Sequence, residues 1–393
     1  MKGIKDMKPL VAITFLLGAV LTAAPAADTQ TISIGAAQSD GQGLPISLQN
    51  ETQAAINRGL DWLKAQQKPD GSWSKGDFPA LTALVLQAFA GSSYPGREAV
   101  ISNAVAFILS CQQPDGGIYK SVPGKGGGLA NYNTAICITA LHATGDKRLA
   151  PAIRKGRAFV ASAQHFGDDV YNGGFGYDRD TGRAYTDLLN TYYAAEAMAR
   201  TADVEDLRAK NEKRVDINWA ETVKYISKMQ NTTNSDTNNA GGFVYNPTDA
   251  KAGVATNQAG TVFMRSYGSI TYAGLLALIY AQVSRDDVRV QSAFDWAARH
   301  WTLAENPGMG DQGLYFFYNI IGKSLAAYGR DLIPGPDGTT IPWRIKLAEK
   351  LVSLQKITPE NGAGYWQNET GRFWENDPVL ITAYSLVALE SLR

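Results

Sequence analysis

Histidine and cysteine are almost missing from this chain, at three and two in 393 residues. His142, His165 and His300 are scattered, and no set of potential ligands has the spacing of a tetrahedral zinc site, so neither a metal nor a cofactor is expected. Two cysteines build no disulfide framework. Cys111 falls at the end of one expected helix and Cys137 well inside the next, which reads as two separate buried thiols. Net charge is missing too: 37 basic and 37 acidic residues cancel, leaving no electrostatic case for nucleic acid or an anionic surface. Beyond Leu21 no apolar run is long enough to cross a membrane. No Gly-x-Ser-x-Gly elbow and no phosphate-binding glycine loop occurs either.

What is present at the start is an address. Lys2, Lys5 and Lys8 precede the apolar run Leu10 to Leu21, and Ala24-Pro25-Ala26 supplies a small-x-small cleavage site. Residues 1–26 therefore read as a secretory signal peptide, since the run is shorter than the roughly 20 residues a membrane span needs. No Cys follows it to carry a lipid anchor. The expected location is secreted or periplasmic. Residues 27–50, rich in Ser, Gln, Gly and Thr, read as a flexible lead-in to a domain over 51–393.

That domain is built from six copies of one pattern. The clearest half-repeat is Arg58-Gly59-Leu60-Asp61-Trp62-Leu63-Lys64-Ala65-Gln66-Gln67 followed by Asp70-Gly71-Ser72-Trp73: an aromatic, a Gln five residues on, a glycine turn and a second aromatic. Relatives start at Phe107, Phe159, Tyr225, Trp296 and Lys350, with Gln112, Gln164, Gln230, Trp301 and Gln355 five residues later. After each turn an apolar segment carries its own register, led by Thr82, Thr134, Thr191, Thr271, Tyr318 and Thr382. Six residues after each leader stands a small residue, and a large apolar one follows directly. A polar-faced helix, a turn and a nearly all-apolar helix, repeated along the chain, predict stacked helical hairpins that bury their cores against neighbours. The expected fold is all-α, with six hairpins closing into a ring.

Between the third and fourth copies, Asp203 to Asp216 is densely charged and reads as a solvated extra helix, and Asn231 to Asn239 as a polar loop. Pro334-Gly335-Pro336-Asp337-Gly338 is turn chemistry.

The run Lys/Arg-Gly-x-x-aromatic-aliphatic-x-x-x-Gln-x-x-x-Gly-x-Trp is similar to the repeat of squalene and terpenoid cyclases, relatives of the protein prenyltransferases. Residues 58–73 match throughout, and Lys155-Gly156, Phe159-Val160 and Gln164 match its first half. The resemblance spans about residues 52–393 and implies an α/α-toroid, with Gln-aromatic helices outside and Thr-register helices inside. It does not imply one activity, because such a scaffold hosts unrelated chemistries. The glutamines and turn aromatics are read as structural, the amide bonding backbone at a helix end.

Each chemistry of these relatives can be tested against the register. Alkene-protonating cyclases carry Asp-x-Asp-Asp directly before the inner-helix Thr. The nearest run here, Asp187-Leu188-Leu189-Asn190-Thr191, has Leu189 at the donor position and Asn190 in place of the last Asp. A leucine donates no proton. Asp178-Arg179-Asp180-Thr181 resembles a degenerate copy but lies in a turn. The prenyltransferase zinc set, an Asp-x-Cys pair plus a His before the register residue, is absent, as is the Gly-Cys-Gly-Glu-Gln of thioester domains.

The ring interior remains. Positions one and five after the register residue share a helical face that holds Gln87, Thr139, Tyr192, Glu196, Tyr272, Asn319 and Lys323. The sequence thus nominates Gln87, Tyr192, Tyr272, Asn319, Arg265 and Tyr318 as cavity-lining, with Asp187, Glu196 and Lys323 as catalytic candidates. Asp377 before Pro378 reads as an N-cap with proline at the first helical position. Three functions stay open: an exported toroid holding a small apolar or ring-shaped ligand, a structural or protein-interaction module, and a polysaccharide-lyase-like or other enzyme on the same ring.

Overall fold

The computed structural model describes residues 43–121, 128–179, 185–335 and 337–393, and among them helices alternate between two environments. The odd ones, α1 (Ile46–Ala65), α3 (Arg97–Ser110), α5 (Ala150–Ser162), α7 (Trp219–Lys228), α9 (Val288–Arg299) and α11 (Trp343–Leu354), bury one face. The even ones are α2 (Pro79–Gly91), α4 (Ala130–Ala143), α6 (Leu188–Arg200), α8 (Gly268–Tyr280), α10 (Leu314–Tyr328) and α12 (Pro378–Glu390). They are buried nearly all round; in α8 only Ile279 escapes. Each even helix packs on the next, α2 on α4 through to α12, and α12 packs back on α2. The result is a closed inner ring of six helices with six outside, an α/α-toroid.

The repeated residues explain the closure. Gln67 Nε2 donates to the Gly71 carbonyl of its own turn (3.2 Å) and to the Val100 carbonyl of the next outer helix (3.1 Å). Gln112 joins Gly116 to Ala152, Gln164 joins Gly173 to Asn218, and Gln230 joins Gly241 to Arg289 in the same way. Gln355 completes the circle by donating to the Ala55 carbonyl of α1 at 2.8 Å. Each glutamine therefore ties one repeat to its successor. Gly71 must be glycine: its φ is +87°, and a Cβ there would lie 2.2 Å from the Asn103 carbonyl oxygen of α3.

The register threonines hold the other side of each turn. Thr82, Thr134, Thr191, Thr271 and Thr382 accept the backbone N–H of Trp73, Ile118, Phe175, Phe243 and Trp366. In the fifth repeat the Tyr318 hydroxyl donates to the Leu303 carbonyl instead, at 2.7 Å. These bonds satisfy buried backbone groups at the points where the chain reverses.

Strand is confined among the described residues to three short hairpins: β1 (Val254–Thr256) with β2 (Val262–Met264), β3 (Leu332–Pro334) with β4 (Thr340–Pro342), and β5 (Lys356–Ile357) with β6 (Gly364–Tyr365). The glycine-proline turn joins β3 to β4 through Gly335 N–H donating to the Thr339 carbonyl, Pro336 lying outside the described residues. The 231–239 segment is a loop knitted into the fold, with Asn239 Oδ1 accepting the Ser266 N–H. Cys111 and Cys137 are both buried free thiols.

Two sequence expectations need correction. The first helix begins at Ile46, ahead of the boundary at residue 51, because Leu44 and Leu48 already pack in the core. Residues 1–26, read as a signal peptide, and residues 27–42 of the lead-in lie outside the described residues. The charged stretch 203–216 is mostly exposed, as expected, but it is not an α-helix: its regular part is a short 3-10 segment, Ala202–Leu207. Glu205 there is fully buried against Arg157 at 3.0 Å, and Arg157 also donates to the carbonyls of Met198 and Val215. One buried, hydrogen-bonded salt bridge thus pins an otherwise exposed segment to the fold.

Candidate functional site

Because the inner helices all run the same way, their N-terminal ends gather at one mouth of the ring. The residue one or two before each register position faces inward there: Leu81 of α2, Tyr132 of α4, Leu189 of α6, Ile270 of α8, Phe316 of α10 and Leu380 of α12. One helical turn deeper, Tyr193 and Tyr384 close the bottom. The space they enclose is about 350 Å3, and ten of its twenty lining residues are aromatic. Turn segments add Phe78, Tyr177, Tyr245, Tyr267, Phe373 and Trp374 around the rim.

Backbone strain concentrates at the same rim. Only five described non-glycine residues have positive φ, and three of them, Leu129 (+59°), Phe373 (+61°) and Trp374 (+65°), line the cavity. A bulky side chain in this conformation costs energy and persists where surrounding structure enforces it, a pattern concentrated at ligand sites. Trp374 packs edge-on against Phe78 at 4.8 Å and carries Lys75 above its ring at 4.8 Å.

The polar groups of the cavity are mostly engaged. Glu375 accepts the Phe316 N–H at 2.8 Å and Asn368 Nδ2 at 2.6 Å, so it caps α10. Burial pushes its carboxyl up from the ordinary range. Lys251 pairs with Asp249 and lies over the Tyr245 ring. At the bottom, Tyr132 and Tyr193 pack edge to face with ring centroids 5.2 Å apart, and Tyr384 lines the cavity beside them.

The sequence-nominated residues lie elsewhere. Asp187 is the N-cap of α6, accepting the Asn190 N–H at 2.8 Å and Asn190 Nδ2 at 2.7 Å. Burial pushes its carboxyl up to about 6, against the hydrogen bonds from Asn190 and Tyr245. Glu196 and Lys323 form an ion pair beneath the tyrosine floor. Tyr192 joins it, donating to Glu196 Oε2 at 2.8 Å and accepting from Lys323 Nζ at 2.6 Å, and Tyr280 donates to Glu196 at 3.2 Å. Burial alone would raise the Glu196 carboxyl, yet Lys323 and Arg200 hold it below its ordinary value. The cluster is largely buried within the inner ring.

None of the six nominated cavity-lining residues borders the mouth cavity. Gln87 is half-buried on α2, Tyr272 packs edge-on against Phe317 at 5.8 Å, and Asn319 donates to the Tyr384 carbonyl at 3.1 Å. Tyr192 and Tyr318 are bound as described above. Arg265 is exposed and borders a second, outer pocket with Asp236 and His300. The chosen positions lie roughly a sixth of a turn around the helix from those that open on the cavity. Positions one and five after the register residue point toward neighbouring helices or below the floor, whereas one or two before and, in α6 and α12, two after point into the opening. The aromatics opening the fifth inner helix and preceding the sixth were the usable signal; Leu129 left none.

With the geometry in place, comparison with other proteins locates the fold. No protein-family model matches the chain. No curated protein matches it either. Solved structures do. A type II terpene cyclase from Scytonema, solved with geranylgeranyl dihydroxybenzoate as substrate, is 12% identical with TM-score 0.51, over 88% of this chain and 98% of that one. An alpha-1,6-mannanase of Salegentibacter, solved with alpha-1,6-mannotriose, is 13% identical with TM-score 0.53, over 87% and 98%. An alpha-mannanase of Bacteroides thetaiotaomicron is 10% identical with TM-score 0.51, over 86% and 95%. The chain thus shares the α/α-toroid fold of these enzymes, which act on quite different molecules.

Proposed function

We propose that this chain is an exported toroid that binds a small, largely apolar or ring-shaped molecule in the mouth of its ring. The observation that carries the reading is the cavity of about 350 Å3 with aromatics at half its lining positions. A concave, mostly apolar site with few polar groups is the usual form of a small-molecule site. Strained Phe373 and Trp374 over the opening support it.

Cyclisation of the terpene type is not part of the proposal. Leu189 stands where the proton donor of that family would be, and it lines the cavity as a plain apolar wall. Glycoside hydrolysis needs two carboxylates about 5 to 10 Å apart. Among the described lining residues Glu375 is the one carboxylate, and both its oxygens are bonded to the protein. Asp187, Glu196 and Lys323 have structural partners that account for them.

The test starts from protein recovered outside the producing cell's cytoplasm, with its amino terminus sequenced. The immobilised chain is incubated with a lipid extract of the cell envelope, washed, unfolded and eluted for mass spectrometry. Enrichment of a defined apolar molecule supports the reading. An eluate matching that of protein unfolded before loading contradicts it, and a retained Met1 contradicts export.

A further inference from the structure

Three aromatics that line the cavity each carry a cation over the ring. Lys251 Nζ lies 4.7 Å from the centre of the Tyr245 ring, Lys75 Nζ 4.8 Å from that of Trp374, and the Arg372 guanidinium carbon 4.9 Å from that of Phe373. Contacts of this kind are attractive even at exposed sites, so they hold the cations at the opening. Phe373 and Trp374 are 49% and 40% exposed, and their rings mark the level where the cavity meets water.

The bonding capacity left at that level is chiefly donor. The Lys75 ammonium is exposed and has no hydrogen bond or ion pair among the described residues. Arg372, also exposed, donates from Nη1 to the neutral Gln312 and has no carboxylate partner among them. Lys251 pairs with Asp249 but keeps spare N–H donors. The acceptors nearby are in use: Glu375 takes the Phe316 N–H and Asn368 Nδ2, and Asp377 takes the Val379 N–H and the Ser74 hydroxyl. Asp77, exposed beside Phe78, is the carboxylate left over.

Resting on the apolar-cavity reading, we infer that the bound molecule is an amphiphile with one acidic head, its apolar body between Leu81, Leu189 and Phe316 and its anionic oxygens at the mouth against Lys75 and Arg372. Seated the other way, the anion would be stripped of water among leucine side chains and aromatic rings. At the mouth it keeps part of its hydration and gains charge-assisted hydrogen bonds, about twice as strong as those a neutral head would make. A cationic head would be repelled by the same two side chains.

Three probes that share one ring system separate this from apolar binding in general: 2-naphthylacetate, its methyl ester and 2-(2-naphthyl)ethylamine. If apolar contact alone counted, the ester would bind best, being the least costly to desolvate. Titration calorimetry on the full mature chain is expected to give the acid a Kd about threefold or more below that of the ester, with the amine weakest. Lys75→Met with Arg372→Met should bring the ratio of ester to acid Kd below about threefold. Lys251 stays in place, because removing it would free Asp249. Both substituted side chains are exposed, so the variant is expected to fold as the parent does. A ratio below about threefold on the unmodified chain, with the ester bound, overturns the acidic-head proposal and leaves the apolar cavity standing. A ratio that stays at about threefold or more in the double variant overturns it as well, since the charge is then read elsewhere. If no probe binds, this inference and the proposed function fall together.

Discussion

Lys323 of α10 reaches across the inner ring to Glu196 of α6, and the two charges share the Tyr192 hydroxyl between them. The chain separation is more than a hundred residues, yet both stand five positions after their register residue. Neutralising one partner strands the other in a desolvated site. Glu196→Gln and Lys323→Met should each cost about 3 kcal/mol or more of unfolding free energy, and the double variant clearly less than their sum. Urea unfolding of the four proteins measures this. Simple additivity would show that the pair is not energetically coupled.

The glutamine clamps give a second prediction. Gln355→Ala removes the bond to the Ala55 carbonyl and the acceptor for Arg58 Nε, which sits at 2.8 Å. Gln112→Ala removes the equivalent bonds to Gly116 and Ala152. Each should destabilise by about 1 to 3 kcal/mol, because a half-buried carbonyl loses its partner. Thermal unfolding with matched controls would reveal it. A clamp variant as stable as the parent would remove the structural role assigned to the repeat.

How far the sequence announced all this differs between fold and site. Gln67, Gln112, Gln164, Gln230 and Gln355 do one mechanical job, as do the register threonines, so selection for that job repeats along the chain and can be read from spacing. The cavity is not periodic. It is completed by turn residues such as Leu129, Phe373 and Trp374, whose left-handed backbone no local signal predicts. Tyr193 and Tyr384 share a helical face with Leu189 and Leu380, but an apolar helix buried all round does not declare which face meets the opening. Glu205 was hidden for another reason: its partner Arg157 lies 48 residues earlier, on α5.

Asp187 makes stability depend on pH in a defined direction. Its carboxyl is raised from 3.8 unfolded to about 6 folded, first by burial. Between those values the folded chain holds a proton that the unfolded chain has released. The contribution of this group is therefore fully present below about pH 3.8 and is lost as pH rises through about 6, by on the order of 3 kcal/mol. Asp187→Asn keeps a cap acceptor and cannot ionise. Relative to the parent it should gain stability as pH rises from 4 to 7, read from urea unfolding at each pH. A constant difference across that range would contradict the assignment.

The two thiols provide a check on packing. Burial raises both Cys111 and Cys137, the latter well above its ordinary value, so neither should be a ready nucleophile. Iodoacetamide at pH 8 should label both only once denaturant is added. Rapid labelling of Cys137 in the native chain would mean that α4 is not buried in the inner ring.

Native mass spectrometry tests most directly whether the mouth cavity is a ligand site. The parent chain and Leu189→Trp, which fills the opening from the α6 wall, are purified side by side from the producing cell. Circular dichroism and thermal unfolding establish that the variant is folded. The parent is expected to carry a one-to-one small-molecule adduct, released on gentle activation, and the variant to be bare. A bare parent, or the same adduct on both proteins, would contradict this.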